Sequence, residues 1–171
     1  MLDMKPNIIV TYFKPFGGRN ENNSQILTSK LPYSKHEIDV AWNLVESQID
    51  EILKEKPDYL ILTGEALSYQ ELTFETLAHN ISNGKDYCDV TKTDEPIIEG
   101  EDECLETKIV FDSKYHHGFN AGKYLCNYTY YLSLYKTKDT NTKVIFVHVP
   151  KFDHNEQELF EQLFDFIKEL K

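Results

Sequence analysis

The stretch DYLILTG at residues 58–64 is a continuous run of apolar and β-branched residues that follows Pro57 and ends at Gly64. Such a run is typical of a strand that is buried on both faces, as the strands of parallel sheets are. NIIVTYF at residues 7–13 predicts another buried strand of this kind. Between the two, apolar residues recur at helical spacing: Trp42, Val45, Ile49, Ile52 and Leu53. Strand, helix and strand in this order favour a parallel α/β sheet with right-handed crossovers.

Further elements extend this pattern on both sides. A PFGG turn at residues 15–18 precedes a helix that the NNS segment at residues 22–24 can cap and that extends to about Leu31. A short strand is expected at residues 35–39. KVIFVHVP at residues 143–150 predicts a third continuous apolar strand. Apolar residues at helical spacing then predict a closing helix: Leu159, Leu163, Phe166, Ile167 and Leu170.

The middle of the chain is more polar. Residues 71–80 alternate between apolar and polar side chains, which predicts one strand with Glu75 on its polar face. A solvated surface carboxylate is the ordinary role for such a residue. Residues 82–106 are acidic and lack any period, so we expect a long loop of the kind that covers sites. A strand is also expected at residues 107–111.

The composition restricts the function. The chain has 171 residues, which we expect to form a single domain over residues 1–171. A formal net charge of −11 and a single arginine, Arg19, argue against a nucleic acid or an anionic membrane as a partner. Three cysteines without a disulfide framework favour a reducing compartment, and no apolar run approaches the roughly 20 residues of a membrane helix. We therefore predict a cytoplasmic protein.

A candidate nucleophile lies in NAGKYLCNYTYYLSLY at residues 120–135, where a small-residue turn leads directly into a helix that has Cys126 near its start. The unpaired N–H groups and the positive end of the helix dipole favour a thiolate there and can hold an oxyanion. A lone cysteine in an apolar segment is more often a small buried hydrophobe. Cys126, however, lies one residue away from the apolar stripe of this helix: Leu125, Tyr128, Leu132 and Tyr135.

A candidate base is His148, the one polar side chain after Lys143 in the third apolar strand. The carboxyl end of a parallel strand is where α/β sheets place their ligands. A hydrogen-bonded core histidine would give the same pattern, so the strand alone leaves both roles open. The other histidines and cysteines in and after the acidic segment fit no zinc spacing, and we expect neither a metal nor another cofactor: Cys88, Cys104, His116 and His117.

Four segments in one order carry a resemblance. TYFKPFGG at residues 11–18 is similar to T-G-F-x-P-F-G-G, and FETLAHN at residues 74–80 to L-E-x-x-x-x-N. AGKYLCN at residues 121–127 matches A-G-x-[FY]-[LV]-C-[ND], and FVHVP at residues 146–150 matches F-[IV]-H-[VI]-P. Together they resemble the pyroglutamyl peptidase I family, also called pyrrolidone carboxyl peptidases, which are cysteine peptidases. The fold class that we predict is α/β, a three-layer αβα sandwich with a mostly parallel or mixed central sheet.

The resemblance implies the reaction and its residues. It implies Cys126 as nucleophile, His148 as its base and Glu75 as the third member of the triad, acting through an acyl-enzyme without a metal or cofactor. The substrates implied are peptides with an N-terminal pyroglutamyl residue, and the family's tendency to oligomerise implies a homo-oligomer.

The resemblance also implies a pocket for the neutral lactam ring. Phe13 and Phe16 match family aromatics that pack on the ring, and Tyr124 takes the position of another aromatic. The chain is short for the family, with loss before Lys35 and between Phe111 and Asn120, and two residues depart from the family pattern. Tyr12 replaces a glycine, which is expected to crowd the backbone beside the pocket, and Glu65 adds a carboxylate that would oppose thiolate formation.

Three functions therefore remain open at this point. The first is an active pyroglutamyl peptidase. The second is an altered member of the family that binds an N-terminal peptide or another ligand without cleaving it. The third is a cysteine hydrolase of different specificity on the same fold. Retention of the three triad residues favours the first and third, and the two phenylalanines favour the first.

Overall fold

The computed structural model describes residues 4–171. These residues contain four α-helices: α1 (Asn23–Ser29), α2 (Trp42–Lys54), α3 (Leu125–Thr137) and α4 (Glu156–Lys168). They also contain ten β-strands: β1 (Ile8–Phe13), β2 (Ser34–Ile38), β3 (Tyr59–Glu65), β4 (Thr73–Glu75), β5 (Leu77–His79), β6 (Ser82–Lys85), β7 (Thr91–Glu95), β8 (Cys104–Glu106), β9 (His117–Gly118) and β10 (Lys143–Val149).

Six strands form the central sheet, in the order β2-β1-β3-β10-β4-β9. The first four are parallel, β4 runs antiparallel to β10, and β9 runs parallel to β4. The three continuous apolar runs of the sequence are thus the adjacent strands β1, β3 and β10. They are buried along almost their whole length because helices cover both faces of the sheet.

Each face of the sheet has its own hydrophobic core. Ile9 and Phe13 of β1 pack with α2 and α3, whereas Ile8 and Val10 pack with α1 and α4, as the alternation of side chains along a strand requires. The predicted three-layer αβα sandwich with a mixed sheet is therefore confirmed. The helix capped near residue 22 is also present, since Asn22 Oδ1 accepts the N–H of Ser24 at 2.9 Å.

Residues 71–80 do not form one strand, which corrects the sequence prediction. β4 lies in the central sheet, but β5 pairs with β8 in a separate two-stranded sheet. The change of partner occurs at Thr76, whose N–H donates to Gly118 O at 2.8 Å and whose carbonyl accepts the N–H of Thr107 at 3.0 Å. A period of two indicates an extended backbone but does not indicate which strand it pairs with. The alternation therefore continues across the break between β4 and β5.

The predicted long loop at residues 82–106 is also wrong, because this segment contains β6, β7 and β8. β6 pairs with β7 in a second two-stranded sheet, and its strands are mostly polar and solvent-exposed. Without an apolar run or a strict alternation they carry no strand signal. A few apolar residues attach the segment to the core around α3: Val90, Ile97, Ile98 and Leu105.

The strand expected at residues 107–111 is absent. Lys108 instead reaches the carboxyl end of α3, where its Nζ donates to the carbonyls of Thr137, Lys138 and Thr140 at 3.0–3.1 Å. A cation at this end of a helix satisfies carbonyls that lack intrahelical partners.

Helix α3 is buried on nearly all sides, and not only along the predicted apolar stripe. The sheet lies on one side of it, α2 on another, and the segment containing β5 to β8 covers the outside. Two tyrosines bond to this outer segment. The hydroxyl of Tyr131 in α3 donates to Asp102 O at 2.6 Å, and that of Tyr124, just before α3, donates to Lys85 O at 2.7 Å. Within residues 4–171, no helix is long and apolar enough to cross a membrane.

Asn127 ties α3 to this cover, and we expect its removal to destabilise the protein. The side chain is fully buried; Oδ1 accepts the N–H of His79 at 2.9 Å, and Nδ2 donates to the carbonyls of His79 and Ile81 at 2.8 and 3.0 Å. Asn127→Ala should lower the free energy of unfolding by about 2–4 kcal/mol, because three backbone groups lose a fully buried partner. Urea denaturation measures this. The exposed Asn141→Ala is the control and should change stability by less than about 0.5 kcal/mol; equal effects would contradict the argument.

Candidate active site

Cys126 lies in the first turn of α3, half-buried against the core. The first intrahelical bond runs from the N–H of Tyr128 to the carbonyl of Tyr124, and the Tyr124 side chain provides no cap. The N–H groups before Tyr128, including that of Cys126, are thus those that an α-helix leaves without intrahelical partners. Together with the helix dipole they favour negative charge at this end of the helix.

A glycine in β3 leaves the space for the thiol. A Cβ atom added at Gly64 would lie 2.7 Å from Cys126 Sγ and 2.7 Å from the Phe146 ring. Real Cβ atoms do not approach other atoms so closely, so any other residue here would displace the sulfur. Gly64 is also aligned with His148 on the neighbouring strand β10, which brings the thiol and the imidazole to the same place over the sheet.

His148 and Glu75 form a buried pair beside the thiol. His148 is 5% exposed and Glu75 is fully buried. The two residues sit on the antiparallel strands β10 and β4, and His148 Nδ1 lies 2.9 Å from Glu75 Oε1. A carboxylate can only accept, so Nδ1 carries the proton and Nε2 is the nitrogen left for Cys126. The alternative role of Glu75, a solvated surface carboxylate, is wrong.

The charge state of His148 follows from these neighbours. Burial lowers its pKa, but hydrogen bonds and charge from Cys126 and Glu75 outweigh burial and raise the pKa of His148 to about 9. The imidazole is therefore protonated at neutral pH. The site therefore holds a positive charge next to the sulfur of Cys126.

Three groups fix the Glu75 carboxylate. Oε2 accepts the N–H of Asn120 at 3.2 Å, and the hydroxyl of Tyr69 lies 3.5 Å from Oε1. The Tyr69 ring also packs edge-on against the His148 ring, with centroids 5.3 Å apart. Gly118 completes the cradle, because a Cβ at this position would overlap the carboxylate of Glu75.

The sequence did not single out Tyr69 or Gly118. Each is isolated in a segment without a period. Gly118 matters through its approach to Glu75 on the neighbouring strand, and Tyr69 through its contacts with Glu75 and with the distant His148. Asn120 is the first residue of the stretch that contains Cys126. It contacts Glu75 through its backbone N–H, and a backbone contact cannot be inferred from the residue type.

Glu65 does not act as an uncompensated charge. Its side chain is 3% exposed and forms a two-pronged ion pair with Arg19, in which Nη2 lies 3.1 Å from Oε2. Oε2 also accepts the N–H of Asn23 at the start of α1, at 2.8 Å. The expected opposition to thiolate formation is therefore largely cancelled by the single arginine of the chain.

Tyr12 does not crowd the proposed ring pocket. Strand alternation places it on the face of β1 that bears Ile8 and Val10, opposite to Phe13. Its neighbour across the strand pair is Glu37 of β2, and burial together with the charge of Glu37 raises the pKa of Tyr12. Tyr12 is accommodated because successive side chains along a strand point to opposite faces of the sheet.

The three residues predicted to hold the substrate lie in different environments. Phe13 is buried in the same core against which Tyr124 and Cys126 pack. Tyr124 immediately precedes α3, and its ring lies edge-on to Trp42 with centroids 5.3 Å apart. Phe16 is 37% exposed, in the turn after β1.

The other histidines and cysteines named in the sequence do not converge. His117 stacks on Phe111, His116 lies 3.3 Å from Glu71, and Cys88 is exposed in the turn before β7. Across residues 4–171, no three or more His, Cys, Asp and Glu side chains are grouped so that they could hold a metal ion.

The Arg19–Glu65 pair gives a prediction about stability. Arg19→Met should lower the free energy of unfolding by about 1–3 kcal/mol, because it leaves the buried carboxylate of Glu65 without its cation. Arg19→Met with Glu65→Gln should recover part of the loss, since a neutral amide needs no counter-ion. Thermal and urea denaturation of both variants measure this.

The exposed pair Lys54–Glu51 supplies the control for this prediction. Lys54→Met should change stability by less than about 0.5 kcal/mol. A double variant that is less stable than Arg19→Met alone would contradict the compensation described above.

Comparison with known proteins identifies the family. No family model matches the chain. The pyrrolidone-carboxylate peptidase of Thermosipho africanus is 32% identical over an alignment that covers 84% of this chain and 80% of that protein. The pyrrolidone-carboxylate peptidase of Thermococcus onnurineus is 30% identical, with 84% and 82% covered.

Solved structures agree with these relatives. The crystal structure of pyrrolidone carboxyl peptidase from Thermus thermophilus superposes with a TM-score of 0.80 at 26% identity, covering 94% of this chain and 96% of that one. Pyroglutamyl peptidase I from Bacillus amyloliquefaciens superposes with a TM-score of 0.84 over 94% of both chains, and at 19% identity it supports the fold alone. Sequence relatives at 30% identity or more, together with this shared fold, show that the chain belongs to the pyrrolidone-carboxylate peptidase family.

Proposed function

We propose that this protein is a cysteine peptidase that hydrolyses the bond after an N-terminal pyroglutamyl residue, with Cys126 as nucleophile, His148 as acid and base, and Glu75 as the orienting group. The observation that carries the proposal is the buried His148–Glu75 pair next to a thiol at a helix N-terminus, in a chain whose relatives are pyrrolidone-carboxylate peptidases. Because the two cores share one sheet, we also treat residues 1–171 as a single peptidase domain.

The reaction begins when the Cys126 thiolate attacks the carbonyl carbon that joins the pyroglutamyl residue to the next amino acid. The N–H groups at the start of α3 stabilise the oxyanion that forms. His148 then donates its Nε2 proton to the leaving amine, and the acyl-enzyme remains. The neutral imidazole next removes a proton from water as the water oxygen attacks the thioester carbonyl carbon. The C–S bond then breaks, which releases pyroglutamate and restores the Cys126 thiolate beside protonated His148.

Glu75 keeps His148 in the tautomer that the reaction steps require. It accepts from Nδ1, so that Nε2 faces the reacting atoms, and it stabilises the imidazolium in each step. Asn120 and Tyr69 hold the carboxylate in place, which limits rotation of the imidazole ring.

The substrate proposed is a neutral lactam at a peptide N-terminus. Phe13 and Tyr124 belong to the core against which Cys126 packs, Phe16 is exposed in the turn after β1, and a flat uncharged ring packs well on aromatic surface of this kind. A free glutamine terminus carries an ammonium group that would lose hydration in the same place, so we expect it to be rejected.

The proposal is tested by release of a fluorogenic amine from a pyroglutamyl amide under reducing conditions. The natural protein should turn the substrate over, and Cys126→Ala should show no activity above background, because the nucleophile is gone. The matched control Cys88→Ala removes an exposed thiol far from the site in the chain and should keep full activity. A glutaminyl amide tests the specificity, and a correctly folded natural protein without turnover of the pyroglutamyl amide would refute the proposal.

The role of Glu75 predicts a change in the pH profile. Protonated His148 is the acid for the leaving amine, so activity should fall as pH rises through the His148 pKa of about 9. Glu75→Gln removes a charge and a hydrogen bond that raise this pKa, so the alkaline limb should move to lower pH. We also expect kcat to fall on the order of 10²-fold or more.

Glu71→Gln is the matched control for the pH profile, since Glu71 is an exposed carboxylate that pairs with His116. It should leave the alkaline limb in place. An unshifted limb in Glu75→Gln would show that Glu75 does not set the charge of His148.

A further inference from the structure

A second cysteine–histidine pair lies outside the site described above. Cys104 of β8 and His79 of β5 are directly opposite each other in an antiparallel pair, and Cys104 Sγ lies 3.2 Å from His79 Nδ1. Cys104 is exposed to solvent. A thiol and a base within hydrogen-bond reach are the two parts that an activated nucleophile requires, and here the thiol is accessible.

The other nitrogen of His79 fixes the direction of proton transfer. Nε2 lies 2.9 Å from the carbonyl oxygen of Phe119. A carbonyl can only accept, so Nε2 carries a hydrogen, and Nδ1 of the neutral ring must accept from the thiol of Cys104. The same carbonyl stabilises the imidazolium that forms when Nδ1 takes the proton.

The backbone around His79 is held firmly. Both its N–H and its carbonyl bond to the buried side chain of Asn127, so the imidazole is anchored on a rigid part of β5. Base, orienting carbonyl and thiol thus come from three separate segments, which is the arrangement of an organised site and not of a chance contact within one turn.

A cavity of about 420 Å³ opens next to the thiol, lined by Cys104, His79, Glu101 and Glu103 among others. It has room for a small adduct. Two glutamates of the lining give it a negative surface, because Glu103 has no ion-pair partner within residues 4–171 and Glu101 Oε2 lies 3.8 Å from Lys138 Nζ. This charge attracts cations and repels anions.

We propose that Cys104 is a thiol-modification site, activated by His79, that forms mixed disulfides with small cationic disulfides in preference to anionic ones. Cys104 transfers its proton to His79 Nδ1, and the thiolate attacks one sulfur of the disulfide. A new S–S bond forms to Cys104 as the original S–S bond breaks, and the departing thiolate takes up the proton. The electrons balance within the exchange, and no further oxidant is needed.

The test uses Cys126→Ser, so that Cys88 and Cys104 are the remaining thiols, and Cys88 is the internal control. The folded protein reacts with cystamine, a dication, and separately with dithiodiglycolate, a dianion. Mass spectrometry of acid-quenched peptides gives the modification rate of each cysteine. Neither the probe nor the readout depends on peptidase activity, so this proposal and the proposed function can fail separately.

We expect cystamine to modify Cys104 about tenfold or more faster than Cys88. His79→Gln keeps an amide that can donate to the Phe119 carbonyl but removes the base, so it should slow Cys104 about tenfold and leave Cys88 unchanged. Dithiodiglycolate should show a smaller preference for Cys104, and the difference between the probes should shrink at high salt because the surface charge is screened.

Equal rates at the two cysteines, or an unchanged Cys104 rate in His79→Gln, would overturn the proposal, as would a preference for the dianion. If His79→Gln folds poorly, the same modification rates are measured on the Cys126→Ser protein unfolded in urea. Unfolding separates His79 from Cys104, so the ratio of the two rates should fall toward one. A ratio that stays high in the unfolded chain would mean that local sequence and not the folded pair controls the reactivity.

Discussion

A carboxylate and an imidazole lie side by side in the interior, Glu75 fully buried and His148 with 5% of its surface exposed. Removing charged groups from water costs several kcal/mol for each ion, and such a pair persists only when its hydrogen bonds are complete. Here one carboxylate oxygen faces His148, and the other faces the backbone N–H of Asn120. Two glycines leave room for these groups: Gly118 leaves the space for the Glu75 carboxylate, and Gly64 leaves the space for the Cys126 sulfur.

Much of the fold was predictable from sequence because its central strands are apolar on both faces. β1, β3 and β10 stand out as continuous apolar runs, and α2 and α4 show their buried faces by periodicity. The small strands β6, β7 and β8 were not predictable in this way. Their stability comes from pairing and from contacts with the core around α3, while most of their own side chains face water.

Two of the three triad residues were predictable from local sequence, and the third was not. Cys126 was suggested by its place at a helix start and His148 by its place in an apolar strand, both of which are local signals. Glu75 had only a surface-like alternation, and its burial depends on β9 and α3, which come much later in the chain. The effect of Glu65 was misjudged for the same reason. Its partner Arg19 is distant in sequence, and no local pattern reveals that two opposite charges will meet.

The position of β10 in the sheet has a consequence for synthesis on the ribosome. β10 is the last strand in the chain, yet it lies in the middle of the sheet, between β3 and β4. Until residues 143–149 have emerged, β3 and β4 have no shared neighbour, and the half of the sheet that bears Glu75 cannot join the half that bears Gly64. The nascent chain therefore exposes two unfinished sheet edges until β10 emerges, and the strand that closes them also carries His148.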